Sequence, residues 1–98
     1  MKYGWIITED KINTETGTKT RVGTLGPRNI AEDLAERLKK GEGVKFRMKD
    51  DDGEIYYIGN FLGDEDSEDG FAPLDDFGQP DAGCTSIEYY KNEKWQVL

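Results

Sequence analysis

The chain has no histidine among its 98 residues, one cysteine and only three prolines. Without imidazole it lacks the side chain most used as a general acid or base near neutral pH, and also the commonest zinc ligand. Ser/His/Asp, Cys/His and zinc-hydrolase schemes are excluded on that ground, which leaves a carboxylate-only or carboxylate-metal mechanism as the open route; neither catalysis nor a cofactor or resident metal is expected. Cys84 stands alone and cannot close an intrachain disulfide, which suits a reducing cytoplasm. No run approaches the roughly 18 to 20 apolar residues of a membrane span, and the opening MKYGWIITEDK lacks the apolar core and cleavage site of a signal peptide. A soluble cytoplasmic protein is the expectation. One further absence concerns charge of a single sign: residues 50 to 90 hold thirteen acids and not one lysine or arginine.

What is present argues for a folded body. Apolar and charged residues each make up 35%, but two Trp, five Tyr and four Phe supply large areas to bury. Ninety-eight residues suffice for one core, so residues 1–98 form a single domain. KYGWIIT reads as a strand, and KTRVGTL (Lys19 to Leu25) as its hairpin partner after a polar stretch holding Asn13 and Gly17. In RNIAEDLAERLKKGEG, Ile30, Leu34 and Leu38 recur every fourth residue beside Ala31 and Ala35, the pattern of an amphipathic helix. Asn29 and Glu32 suggest a capping box at its start, and Gly41 a left-handed cap at its end.

VKFRMKDDDGEIYYIGNF predicts a hairpin turning on Asp52-Gly53 as a type I′ turn. Cross-strand partners then sum to 105: Met48 faces Tyr57, Phe46 faces Gly59 and Val44 faces Phe61 on an apolar side, while Lys45, Arg47 and Lys49 line the other. Gly59 opposite Phe46 makes room for a ring or a bulge. Residues 63–83 read as an irregular acidic segment in which Pro73 and Gly78 bracket a single helical turn that places Phe71, Leu74 and Phe77 on one side as a hydrophobic clip. SIEYY and KWQVL predict a last hairpin around Lys91 to Lys94, with Ile87, Tyr89, Trp95 and Val97 inward and a three-residue loop. The expected fold is α+β: an antiparallel sheet of about five to six strands with one amphipathic helix packed on it, in the order β-β-α-β-β-long loop-β-β.

The segregated charge points to a binding surface. Residues 1 to 49 hold eleven cations and seven acids, whereas the stretch GDEDSEDG, residues 63–70, packs five carboxylates into eight positions. Asp50, Asp51, Asp52, Asp64, Glu65, Asp66, Glu68, Asp69, Asp75 and Asp76 are the candidate partner-binding residues. Gathered on one flank they imitate the charge of a nucleic-acid backbone and can occupy the basic channel of a nuclease or another nucleic-acid-binding protein. Direct nucleic-acid binding is not expected at a net charge of −8. Two readings compete: a small bacterial domain of housekeeping role whose acids serve solubility, and a calcium module in which Glu65, Ser67, Asp69, Gly70 and Asp76 echo part of an EF-hand loop. The EF-hand echo has Glu at its first position, Asp at its last and Pro73 within it. Cys84, in AGCTS with no cation near it, reads as a packed thiol rather than a nucleophile.

YGWIIT, GPRN, FRMKDDDGEIYYIG and PLDDFGQPDAGCT together resemble a set of short, uncharacterised acidic proteins of bacteria and their mobile elements. That resemblance covers most of the chain and implies no reaction or ligand. In size, acidity and lack of catalytic residues the chain is also similar to phage-encoded inhibitors of bacterial defence nucleases, anti-CRISPR proteins among them; this likeness implies a non-catalytic inhibitor.

Overall fold

The computed structural model describes residues 3–11 and 21–98. Six strands form one antiparallel sheet: β1 (Gly4–Asp10), β2 (Leu25–Gly26), β3 (Val44–Lys49), β4 (Ile55–Leu62), β5 (Ser86–Lys91) and β6 (Lys94–Val97). Their order across the sheet is β2-β1-β4-β3-β5-β6. Helix α1 spans Glu32–Lys39. Between β4 and β5 come a 3-10 turn (Glu68–Phe71), a π-helical stretch (Leu74–Gly78) and the short helix α2 (Gln79–Ala82). The domain is therefore α+β.

Side chains alternate across strands, so the sheet has two faces. One gathers Trp5, Ile7, Phe46, Met48, Tyr57, Phe61, Ile87 and Tyr89 into a buried cluster that Ala72, Leu74 and Cys84 close from above. Phe77 packs with its ring centroid 4.9 Å from Tyr57 and 5.7 Å from Trp5. Residues 63–83 are thus largely helical instead of irregular. Ala72, Pro73 and Leu74 are buried on the sheet, and that burial stabilises short helical pieces that local propensity alone does not predict. Phe71 stays 36% exposed, so Leu74 and Phe77 alone make the expected clip.

Helix α1 lies on the opposite face, over β1 and β4. Leu34 and Leu38 are buried there, and a Cβ at Gly4 would collide with the side chain of Ile30. The helix therefore covers the face of Ile6 and Ile58 and leaves the larger apolar face to the helical layer. Its start differs from the expected capping box. Ala31 occupies the N-cap with no side-chain bond, because Ile30 N–H closes a turn onto Pro27 O at 2.9 Å and Asn29 is held inside that turn. Its end is a Schellman motif, with Gly41 N–H to Leu38 O at 3.0 Å, Glu42 N–H to Arg37 O at 3.1 Å and Gly41 at φ +93°.

In the β3–β4 hairpin, Val44↔Phe61, Phe46↔Gly59 and Met48↔Tyr57 pair as the turn residues predict. The turn itself is different. Asp50 N–H reaches Glu54 O and Gly53 N–H reaches Asp50 O, both at 3.1 Å, so the loop is Asp51-Asp52-Gly53 with only Gly53 at positive φ. A bulge beyond Lys49↔Ile55 restores the register. At Gly59 a Cβ would meet Ile6 O and the Phe46 ring, so glycine is required there.

The other two hairpins depart further. Of the second candidate strand, Leu25 pairs with β1 and the pairing runs on to Gly26, just beyond it, while Gly23, at φ +93°, and Thr24 exchange backbone hydrogen bonds with Ile7. Lys19, Thr20, Asn13 and Gly17 lie outside the described residues. The β5–β6 loop has two residues, Asn92 and Glu93, both left-handed at φ 53° and 64°, the type I′ geometry. That loop pairs Tyr90 with Trp95 and Glu88 with Val97, which moves Trp95 and Val97 to the face opposite Ile87 and Tyr89. Val97 is 69% exposed.

Candidate protein-binding surface

The ten candidate acids come from three places. Asp50, Asp51 and Asp52 form the β3–β4 turn; Asp64, Glu65, Asp66, Glu68 and Asp69 follow β4 directly; Asp75 and Asp76 open the π-helical stretch. Because β4 is eight residues long, the first group is separated from the second by roughly 25 Å of strand. The helical layer links them. It starts where Tyr89 Oη donates to Gly70 O at 2.8 Å, crosses above Met48 at Gly78, and returns to the turn end, where Tyr57 Oη donates to Asp81 Oδ2 at 2.6 Å. Asp75 and Asp76 stand exposed on this layer, between its two ends.

Some of these acids have local work. Asp50 Oδ1 accepts from the backbone N–H groups of Asp52 and Glu54, each at 2.9 Å. The Glu54 and other backbone donors, with the Tyr56 hydroxyl, hold its carboxyl below the usual range. Asp64 Oδ1 accepts from Asp66 N–H at 3.1 Å, and Ser67 Oγ accepts from Asp69 N–H at 3.2 Å to cap the 3-10 turn. Glu68 and Asp69 sit in the first turn of that segment, where exposed N–H groups favour negative charge. These contacts order the backbone that carries the acids and absorb part of their repulsion.

Among the described residues Lys91 is the one cation in an ion pair with any of the ten. Its Nζ lies 2.7 and 2.8 Å from the two Asp66 oxygens and 3.6 Å from Glu65 Oε1. The Asp66 hydrogen bond comes first in raising its pKa. The sequence alone does not mark Lys91 as this counter-ion, since it belongs to β5 and only the sheet order brings it beside residues 65 and 66. On the other side, Tyr3 is pushed up by burial and then by Asp76 and Asp69, placing both carboxylates within electrostatic reach of its hydroxyl.

The other face treats charge differently. Glu88 is buried, with Oε1 2.6 Å from Arg47 Nε and Oε2 3.2 Å from Lys49 Nζ. Burial opposes its ionisation, but hydrogen bonds and charge from Arg47 and Lys49 prevail and hold its pKa below the ordinary value. Arg47 also lies 4.1 Å above the Trp95 ring. Two of the three cations on β3 are thereby engaged inside the fold. An acid between Ile87 and Tyr89, placed by alternation on the cationic face, is the signal in the sequence that could have identified Glu88.

Among the described residues no group of three or more His, Cys, Asp or Glu side chains is placed to hold a metal ion. The EF-hand echo is not formed as a loop, because Glu68 to Phe71, Gly70 included, make a 3-10 turn. Cys84 is buried, and burial, followed by Asp50 and Asp81, pushes its thiol up to about 11. It is a protonated packing group.

The chain is a small α+β domain whose candidate acids lie in the β3–β4 turn and in the segment after β4, and in which Arg47 and Lys49 pair with Glu88 on the other face of the sheet. No protein-family model, no curated protein and no solved structure matches the chain. Among the described residues no helix is long and apolar enough to cross a membrane.

Proposed function

We propose that this is a non-catalytic binding domain whose carboxylate strip docks on a basic protein that handles nucleic acid, a nuclease being the leading case, and blocks it in the manner of a nucleic-acid mimic. The observation that carries the reading is the arrangement of the acids from Asp64 to Asp76 along one layer, with Lys91 as their one ion-pair partner among the described residues. A nucleic-acid strand in duplex form carries about seven phosphates over roughly 25 Å. Ten carboxylates along a similar length present a comparable charge to a cationic channel. Phe71, half-exposed among them, supplies an apolar contact of the kind that anchors an interface.

The absence of histidine and the protonated, enclosed Cys84 support a role without catalysis. The competing reading, a domain whose acids serve its own solubility, draws support from Asp50 and Asp64, whose carboxylates close their own turns. The two separate in a low-salt pull-down from bacterial lysate with a salt-step elution. The wild type retains a basic protein that elutes with salt. A variant carrying Asp64→Asn, Glu65→Gln, Asp66→Asn, Glu68→Gln and Asp69→Asn loses it by tenfold or more; equal retention by the variant refutes the proposal.

A further inference from the structure

The two edges of the sheet are built differently. At one, β2 is two residues long and ends in Gly26-Pro27, so it offers little to pair with. At the other, β6 is four residues long with a charge only at Lys94, and among the described residues it carries neither a proline nor a bulge, so Trp95-Gln96-Val97 is an uncharged edge. Its register decides which backbone groups point outward. Leu98 N–H donates to Ile87 O at 3.1 Å, and Lys94 pairs with Lys91 across the two-residue loop. Residues 94, 96 and 98 therefore bond inward to β5, while the N–H and C=O groups of Trp95 and Val97 face away from the sheet.

We propose that β6 is a pairing edge on which a second copy of this chain docks antiparallel, so that one sheet runs through both. In the register that places Trp95 against Val97 of the other copy, all the outward N–H and C=O groups of both residues find partners, and Gln96 meets Gln96 on the two-fold axis. Trp95 and Val97 become cross-strand neighbours on the same face, an aromatic and β-branched pair that covers a valine now 69% exposed. Tyr90, 44% exposed and tilted against Trp95 with ring centroids 5.1 Å apart, borders the same patch.

Charge favours a second copy here over the acidic flank. Residues 91 to 98 carry two lysines and one glutamate, whereas the strip and the β3–β4 turn carry ten carboxylates. Like-signed molecules of net charge −8 approach best through the side that holds least of it. A two-fold axis perpendicular to the sheet also leaves both carboxylate strips on one side, doubling their length. The pairing itself does not depend on what the strips bind.

Light scattering after size exclusion, from about 1 to 100 µM chain at physiological salt, tests this. The wild type should reach twice the mass of one chain, and sooner at higher salt because screening weakens the repulsion. Val97→Pro removes only an outward N–H and Val97→Lys puts a charge on the edge; each should give monomer with an unchanged melting temperature. Monomeric wild type throughout, or a dimer that survives both substitutions, overturns the proposal. The salt trend is opposite to that expected for a basic partner, so the two ideas fail separately.

Discussion

Glu88 pairs with Arg47 and Lys49, Arg47 lying over the Trp95 ring, and its charge is satisfied within the fold. Asp75 and Asp76, on the other side of the same sheet, look into water from the outer surface of the helical layer. The first carboxylate is paired with cations that alternation places on its face; the second pair makes no ion pair among the described residues. Charge on one side is thus paired within the fold, and at Asp75 and Asp76 it is exposed to solvent. Substitutions on the two sides should therefore act on different observables.

The largest effect on stability is expected from Glu88→Ala. It leaves Arg47 and Lys49 facing each other without the carboxylate between them, and should cost about 2 kcal/mol in urea unfolding, below the range for fully buried pairs because the cations keep some solvent. The pH dependence has a defined sign. Because the folded pKa of Glu88 is depressed, its contribution is present above the ordinary glutamate value near 4.3 and is lost as pH falls through the lower folded value. Glu88→Gln should flatten the acid limb of the stability curve in that window, while the five-fold substitution in the strip leaves Glu88's share in place.

Tyr57→Phe comes next. It removes the 2.6 Å bond to Asp81 that ties the helical layer to β4, and should cost about 1.5 kcal/mol, the scale for a hydrogen bond to a charged group. Binding by the strip should survive if the layer remains docked through Leu74 and Phe77.

Much of this fold was legible because short-range signals agreed with one another. The β3–β4 register follows from a turn of Asp and Gly and from strict alternation, and it holds although the loop has three residues, since the bulge near Tyr56 restores the offset. Helix α1 is visible in Ile30, Leu34 and Leu38. Of the helical layer only the turn between Pro73 and Gly78 was legible, because the pitch changes between Glu68 and Ala82 and leaves no single period to detect. The last hairpin was misread because Glu93 is an unusual residue for left-handed backbone, and one residue of loop length turns Trp95 and Val97 to the other face. For the surface, composition disclosed the acids, but their spread along β4 and the reach of Lys91 depend on the order of strands.

The smallest effect follows from that loop. Glu93→Gly relieves a φ of 64° and should stabilise by about 0.5 to 1 kcal/mol, read as a shift in the urea midpoint, with neither face altered and partner binding unchanged.

The salt dependence of binding to the protein recovered at the salt step tests the central claim most directly. If the carboxylate strip makes the contact, affinity falls steeply as salt rises, and the five-fold variant binds more weakly with a visibly shallower slope. Equal affinity and equal slope for wild type and variant would mean that the strip takes no part in recognition.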